Sequence, residues 1–315
     1  KVDEQGIKDF LKTIREAEQD LHSLMIVRHG KVVYEQWFGD NAPDKPHVLH
    51  SVSKTFTATA IGFAVAEGRL KLTEKVISFF PDKLPAEISD NLNALEIRHL
   101  LTMSCGHDRA PNAIRSTPGM DWVEGFLATP FEHEPGVFFV YNSMGSYMLS
   151  AIIQKVTGEK LIDYLTPRLF TPLAINDAAW EESPQGINTG GWGLFLKTED
   201  LAKMGLFFLQ KGKWNGKQLL PTEWFDEATA SHIASLPAGR RPEQITPETK
   251  EVDCLQGYGY QMWRSRYNSY RADGNLGQFI LILPEKETVI VTTSNSHDMY
   301  GELDLVWNYL LPALQ

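Results

Sequence analysis

Ser51 and Lys54 stand three residues apart in His50-Ser51-Val52-Ser53-Lys54. On a helix that spacing puts both side chains on one face, one turn apart. A serine hydroxyl is a weak nucleophile until a neighbour takes its proton, and a lysine kept neutral by burial can take it. The chemistry such a pair supports is acyl transfer through a covalent serine. Ser51 is expected in the first helical turn, where free N–H groups and the positive end of the helix dipole favour a developing negative charge. A Ser-x-x-Lys match arises about once by chance in a chain this long, and its bland reading is a capping serine with a solvent-facing lysine. Two features oppose that reading: the chain holds no other Ser-x-x-Lys, and this one opens its most apolar run, Thr55 to Glu67. A lysine in the first turn works against the helix dipole and is costly without a purpose.

The elements that must position the pair read as follows. The Thr55–Glu67 run is apolar nearly all round and predicts a central buried helix, closed by Gly68. Upstream, residues 3–20 predict an amphipathic helix with Ile7, Phe10, Leu11 and Ile14 on one side. Leu24 to His29 and Val32 to Phe38 predict a β-hairpin about Gly30-Lys31. Downstream come predicted helices over 97–106, 122–128, 143–156 and 159–170, with a short extended piece at 137–140. Residues 183–193 are glycine-rich and predict a surface loop. Thr198 is expected to cap a helix through Gln210, with Glu199 and Asp200 at its positive end, and Pro221 to open another at its first position. Residues 236–253 predict an exposed insertion. Tyr258–Arg264, Gly277–Leu283 and Thr288–Thr293 predict strands, with Pro284 to Glu287 as a hairpin turn, and residues 301–313 a closing helix.

Strands at both ends with helices between them predict an α+β fold. An antiparallel sheet forms from N- and C-terminal strands, flanked by helices, with an all-helical domain inserted. The expected boundaries are 1–75 and 180–315 for the sheet-bearing domain and 76–179 for the helical one, with the site at their interface.

The residues further along resemble a known family. Ser51-Val52-Ser53-Lys54 is similar to the first motif of the serine β-lactamase and penicillin-binding protein superfamily. Tyr141-Asn142-Ser143 is similar to its second motif, which class C enzymes carry as Tyr-x-Asn. The nearest resemblance is to class C-like esterases, D-aminopeptidases and nylon-oligomer hydrolases. Leu100 to Gly106, Glu134-Pro135-Gly136, Gly190 to Leu194 and Gly257-Tyr258-Gly259 sit where such chains carry similar landmarks, so the resemblance spans about residues 20–312. A second Tyr-Asn-Ser at 267–269 lies between two predicted strands and reads as a hairpin decoy; a buried tyrosine is otherwise usually structural.

The resemblance implies Ser51 as nucleophile, with Lys54 and Tyr141 sharing the roles of base and acid. Ser143 would hydrogen-bond Lys54 or the substrate. The family's third motif is Lys-Thr-Gly or His-x-Gly; here Asn275-Leu276-Gly277 takes its place. Asn275 offers a neutral amide where the family places a cation, Gly277 would let the acyl group approach the strand, and the Gln278 N–H would join that of Ser51 in an oxyanion hole. Structurally, Gly277 reads equally as a bulge glycine. The Asn275 and Ser143 departures point away from an efficient β-lactamase. The implied activity is that of a serine hydrolase on an ester or amide bond of a small substrate, peptides included. The alternatives are a β-lactamase or D-Ala-D-Ala carboxypeptidase, or a non-catalytic ligand-binding relative.

Other chemistries lack their signatures. No Gly-x-Ser-x-Gly, His-Glu-x-x-His, Cys-x-x-Cys or phosphate-cradling glycine loop occurs. No cofactor and no metal is expected; His47 and His50 lack a third ligand. A net charge of −10 without a basic cluster argues against nucleic acid, and no 18-residue uncharged apolar stretch predicts a membrane span. Cys105 and Cys254 could pair or both be free. The chain begins at Lys1, so a removed leader is one expectation, and the compartment stays open between extracytoplasmic and cytoplasmic. Trp122, Trp192, Trp263, Phe138 and Tyr258 either line a substrate pocket or pack in the core.

Overall fold

A computed structural model describes residues 1–236 and 252–315. The expected insertion at 236–253 therefore lies, apart from its ends, outside the described residues. The chain opens with the helix Glu4–Glu16, which buries Ile7, Phe10 and Ile14. Strands β1 (Leu21–Arg28) and β2 (Lys31–Trp37) form the expected hairpin. Its turn is His29-Gly30, both at positive φ, the geometry that matches strand twist. Short strands β3 (His47–Val48), β4 (Ala179–Trp180) and β5 (Leu194–Leu196) make a small sheet, and β6 (Lys213–Trp214) pairs with β7 (Lys217–Gln218). The C-terminal part supplies β8 (Trp263–Ser265), β9 (Ser269–Gly274), β10 (Gln278–Leu283) and β11 (Thr288–Ser294).

The main sheet has the order β2-β1-β11-β10-β9-β8, with every neighbour antiparallel. N- and C-terminal strands thus meet at β1 and β11, where Ile26 lies opposite Ile290. The α+β expectation holds. Because strand side chains alternate between faces, the sheet separates two cores. Leu24, Ile26, Phe279, Leu281 and Ile290 pack on the first helix and on Leu303, Val306, Trp307 and Leu310 of the C-terminal helical segment. On the other face, Ile280, Ile282, Val289 and Val291 join a larger core with the helix Thr198–Leu209, the helix Ser53–Ala66 and the helical layer. Gly205 is what lets the Thr198 helix lie close: a Cβ there would stand 2.4 Å from Val289 Cγ1.

The helix Ser53–Ala66 is buried from Ser53 to Ala64 and packs against the helix Ser143–Thr157. Asn142 caps that second helix through its side chain, and Gly158 ends it in the left-handed region. Several expected boundaries shift. The helix from Ile97 stops at Leu101, and Met103 turns the chain with φ 57°. Residues 137–140 form no strand. The first C-terminal strand begins at Trp263 rather than Tyr258, and β9 is an additional strand that lies between the expected strands 258–264 and 277–283. The cap of the Thr198 helix is Lys197, whose N–H donates to Asp200 at 3.1 Å. Thr198 instead shares a hydrogen bond with Ser23 at 2.8 Å. Pro221 is the N-cap of the next helix, Thr222–Ala228.

Candidate active site

Ser51 does not lie in the α-helix itself. It sits in a 3-10 turn, His50–Val52, that leads into the helix Ser53–Ala66. His50 takes φ 48°, so the backbone is turned sharply just before the serine. Ser53 fixes the turn: its hydroxyl donates to the His50 carbonyl at 2.6 Å and accepts the Leu194 N–H at 3.1 Å. The i, i+3 spacing nevertheless performs as expected. Lys54 Nζ donates to Ser51 Oγ at 2.8 Å and to Ser143 Oγ at 2.9 Å. A third donation goes to the Gly191 carbonyl at 2.8 Å.

That third partner comes from the segment expected as a surface loop, and the expectation is corrected here. Asn188 to Gly191 are buried, and the chain passes between the Ser51 and Ser143 helices. Glycines are needed for the passage. A Cβ on Gly190 would stand 2.9 Å from the Ser146 carbonyl, and one on Gly191 2.7 Å from the Ser143 carbonyl. The two glycine carbonyls are spent on the nucleophile helix, Gly190 accepting from Thr57 at 2.7 Å and Gly191 from Lys54.

Lys54 is 1% exposed. Burial disfavours its charged form and lowers its pKa to about 7, against the favourable charge of Asp273 and with the repulsion of Arg115. The Tyr141 ring centroid lies 4.6 Å from Lys54 Nζ. Burial pushes the Tyr141 phenol above its ordinary value, with Asp273 adding to the rise and a hydrogen bond to Ser51 opposing it. The ring is held by stacking on Trp263 at 5.6 Å and by the edge of Tyr258 at 6.5 Å. The structure therefore brings Ser51, Lys54, Tyr141 and Ser143 together. The second Tyr-Asn-Ser is a hairpin turn between β8 and β9, with Tyr267 and Asn268 both at positive φ.

The third-motif residues fall differently. Backbone meets Ser51 at Gly274, the last residue of β9. A Cβ there would stand 2.3 Å from the Leu49 carbonyl and 3.2 Å from the Ser51 nitrogen. Gly277 is a glycine for other reasons: its φ is 97°, and a Cβ would lie 2.7 Å from a Glu302 carboxylate oxygen. Gln278 is wholly buried, which removes its N–H from any substrate; its side-chain amide donates to the Ser294 carbonyl at 2.7 Å and the Asn275 carbonyl at 3.1 Å. The expected roles of Gly277 and Gln278 are therefore corrected, because the chain turns back at 275–277 and enters β10, where Gln278 pairs beside Gly274 and is wholly buried. Asn275 is exposed in that turn.

Sequence reasoning also missed Gln261. It is 1% exposed, donates through Nε2 to the Leu100 and Leu101 carbonyls at 2.9 and 3.1 Å, and accepts from Thr55 through its own carbonyl at 2.9 Å. It ties the landmark Gly257-Tyr258-Gly259 segment to the nucleophile helix. Of the aromatic candidates, Trp122 and Trp192 make a tilted contact with centroids 5.8 Å apart, and Phe138 stacks on His133 at 3.8 Å. Both cysteines are free thiols, and burial pushes that of Cys105 up to about 12. His47 bonds His22 at 2.8 Å, and no group of three or more metal-ligating side chains occurs among the described residues. No described helix is long and apolar enough to cross a membrane.

A buried amine whose pKa is lowered to about 7, between two hydroxyls and beside a phenol, is an arrangement that can activate a serine. The family model described as Beta-lactamase matches residues 14–313. The chain belongs to the beta-lactamase family. Among relatives, the 6-aminohexanoate-dimer hydrolase of Paenarthrobacter ureafaciens is 25% identical over 88% of this chain and 73% of its own length. The Beta-lactamase of Escherichia coli K12 is 23% identical over 93% and 88%. The solved structure of EstCE1, a hydrolase with promiscuous acyltransferase activity, superposes with TM-score 0.76 at 15% identity over 98% of each chain, which shows the shared fold. This beta-lactamase family member is a serine hydrolase.

Proposed function

We propose that this enzyme hydrolyses an ester or amide bond of a small substrate through an acyl-enzyme on Ser51. The observation that carries the reading is the three-way bonding of Lys54 Nζ to Ser51, Ser143 and the Gly191 carbonyl in a site that holds the amine near pKa 7. With the phenol of Tyr141 pushed up and so protonated near neutral pH, the neutral amine of Lys54 is the group that takes the Ser51 proton. Tyr141 then donates toward the leaving group, and the roles reverse as water attacks the acyl-enzyme. The Ser51 N–H and the backbone at the Gly274–Asn275 end of β9 offer the place for the oxyanion. The cleft would lie between the mainly helical part, residues 76–179, and the sheet-bearing part, residues 1–75 and 180–315.

The similarity to a 6-aminohexanoate-dimer hydrolase supports amides of linear acids within the substrate range. A fluorophosphonate probe should label wild-type protein and fail to label Ser51→Ala. Equal labelling of both would remove Ser51 from the mechanism.

A further inference from the structure

We propose that Arg115 selects substrates carrying a carboxylate, a step that rests on the serine hydrolase reading above. Arg115 lies in the 3-10 turn Asn112–Ser116 of the 107–120 segment. Its neighbour Ile114 is buried and packs near Gly125, which anchors the turn. The Arg115 guanidinium sits 3.8 Å from the centroid of the Trp192 ring. Trp192 is fixed in turn: its ring makes a tilted contact with Trp122, and its carbonyl accepts the Trp180 indole N–H at 2.9 Å. The residue before it is Gly191, whose carbonyl receives Lys54 Nζ. One peptide unit therefore links the arginine's platform to the reactive amine, and the Arg115 charge is among those that depress Lys54.

Stacking holds the guanidinium plane while leaving its N–H edges free, the form in which arginine grips a planar carboxylate with two bonds. Arg115 makes no ion pair or hydrogen bond with any described residue. Glu181 acts on it electrostatically without reaching it, and the same carboxylate acts on His50 beside the nucleophile. A substrate with its carboxylate a few bonds from the scissile carbonyl would place the anion on Arg115 and the carbonyl at Ser51.

The test compares two activated esters of one length: the mono-4-nitrophenyl ester of glutaric acid and its methyl-capped neutral counterpart. Wild-type kcat/KM should favour the acid by about tenfold, the worth of one charge-assisted contact. Arg115→Ala should bring the ratio near one, Arg115→Lys should leave it above that of Arg115→Ala, and Glu181→Gln should raise it. The ratio is insensitive to how much folded enzyme each variant yields. A wild-type ratio near one, or a ratio kept in Arg115→Ala, overturns the proposal while Ser51-dependent turnover leaves the hydrolase standing. Absence of Ser51-dependent turnover of either ester overturns both.

Discussion

Two buried ionisable side chains, Lys54 and Glu302, have different surroundings. Lys54 is 1% exposed and Glu302 is wholly buried. Neither has an opposite charge in contact. Lys54 donates to two hydroxyls and a carbonyl; Glu302 accepts from the hydroxyls of Thr292, Ser294 and Ser296 at 3.2, 2.6 and 3.1 Å. Burial acts on both in the same way, against the charged form. It lowers the amine to about 7 and raises the carboxyl to about 8. The difference is in what each touches. Lys54 bonds a serine that is half-buried, whereas Thr292, Ser294 and Ser296 around Glu302 are all buried. Under the proposed mechanism, similar electrostatics yields chemistry at one site and packing at the other.

The largest effect should separate the two sites. Ser51→Ala or Lys54→Ala should lower kcat/KM on a 4-nitrophenyl ester by about a thousandfold or more, with the circular dichroism spectrum retained. Glu302→Gln should stay within about threefold. Comparable losses in Lys54→Ala and Glu302→Gln would erase the distinction. The pH dependence sharpens it. The amine must be neutral to accept the serine proton, so kcat/KM should rise with pH and level off above about 7. An acidic limb that stays in place in Lys54→Arg, should that variant retain any activity, would assign the limb to another group.

Next in size, Tyr141→Phe should cost about a hundredfold, falling more on amides than on activated esters, because a nitrophenolate leaves without a proton. Equal losses on both substrates would argue that the ring only packs. Gly191→Ala is expected to cost about tenfold or more. Its Cβ cannot coexist with the Ser143 carbonyl 2.7 Å away, so the carbonyl that receives Lys54 must move, and overpacking of this kind also costs roughly 1–3 kcal/mol in stability. Gly216→Ala, where no atom stands within 4 Å of the added carbon but φ is 77°, measures the conformational cost alone.

Much of this was legible before any coordinates. The all-round apolar run after Lys54 pointed to a buried helix, which weighed against a solvent-facing lysine at its head, and the i, i+3 spacing placed Ser51 on the same face. Tyr141 was legible through its context, a Pro-Gly turn before a capped helix. The Gly190-Gly191 segment was misread because glycine is ambiguous: the same residue serves an open loop and a close passage between helices, and only the Ser143 and Ser146 carbonyls distinguish them. Gly277 and Gln278 were misplaced for a related reason. A turn of three residues reverses the chain, and sequence spacing cannot show which of Gly274 and Gly277 meets Ser51. Arg115 was invisible because its significance depends on Trp192, far away in sequence.

The smallest predicted effect concerns stability, and there the two buried groups should pull in opposite directions. Glu302 has a folded-state pKa of about 8 against an ordinary value of 4.5. Between those values the folded protein holds a proton that the unfolded chain has lost, so stability falls as pH rises through this window. Lys54 has its folded value lowered from 10.5 to about 7. Between about 7 and 10.5 the unfolded chain holds the extra proton, and stability rises with pH. Glu302→Gln removes only the first dependence and keeps an oxygen able to accept from Ser294 and Ser296, with an amide N–H able to donate to the Thr292 hydroxyl. The difference in Tm between Glu302→Gln and wild type should therefore grow in favour of the variant by a few degrees from about pH 5 to about pH 8.5. A difference that is flat across that range would mean that Glu302 ionises at its ordinary value, and one that reverses would mean that a cation faces it when folded.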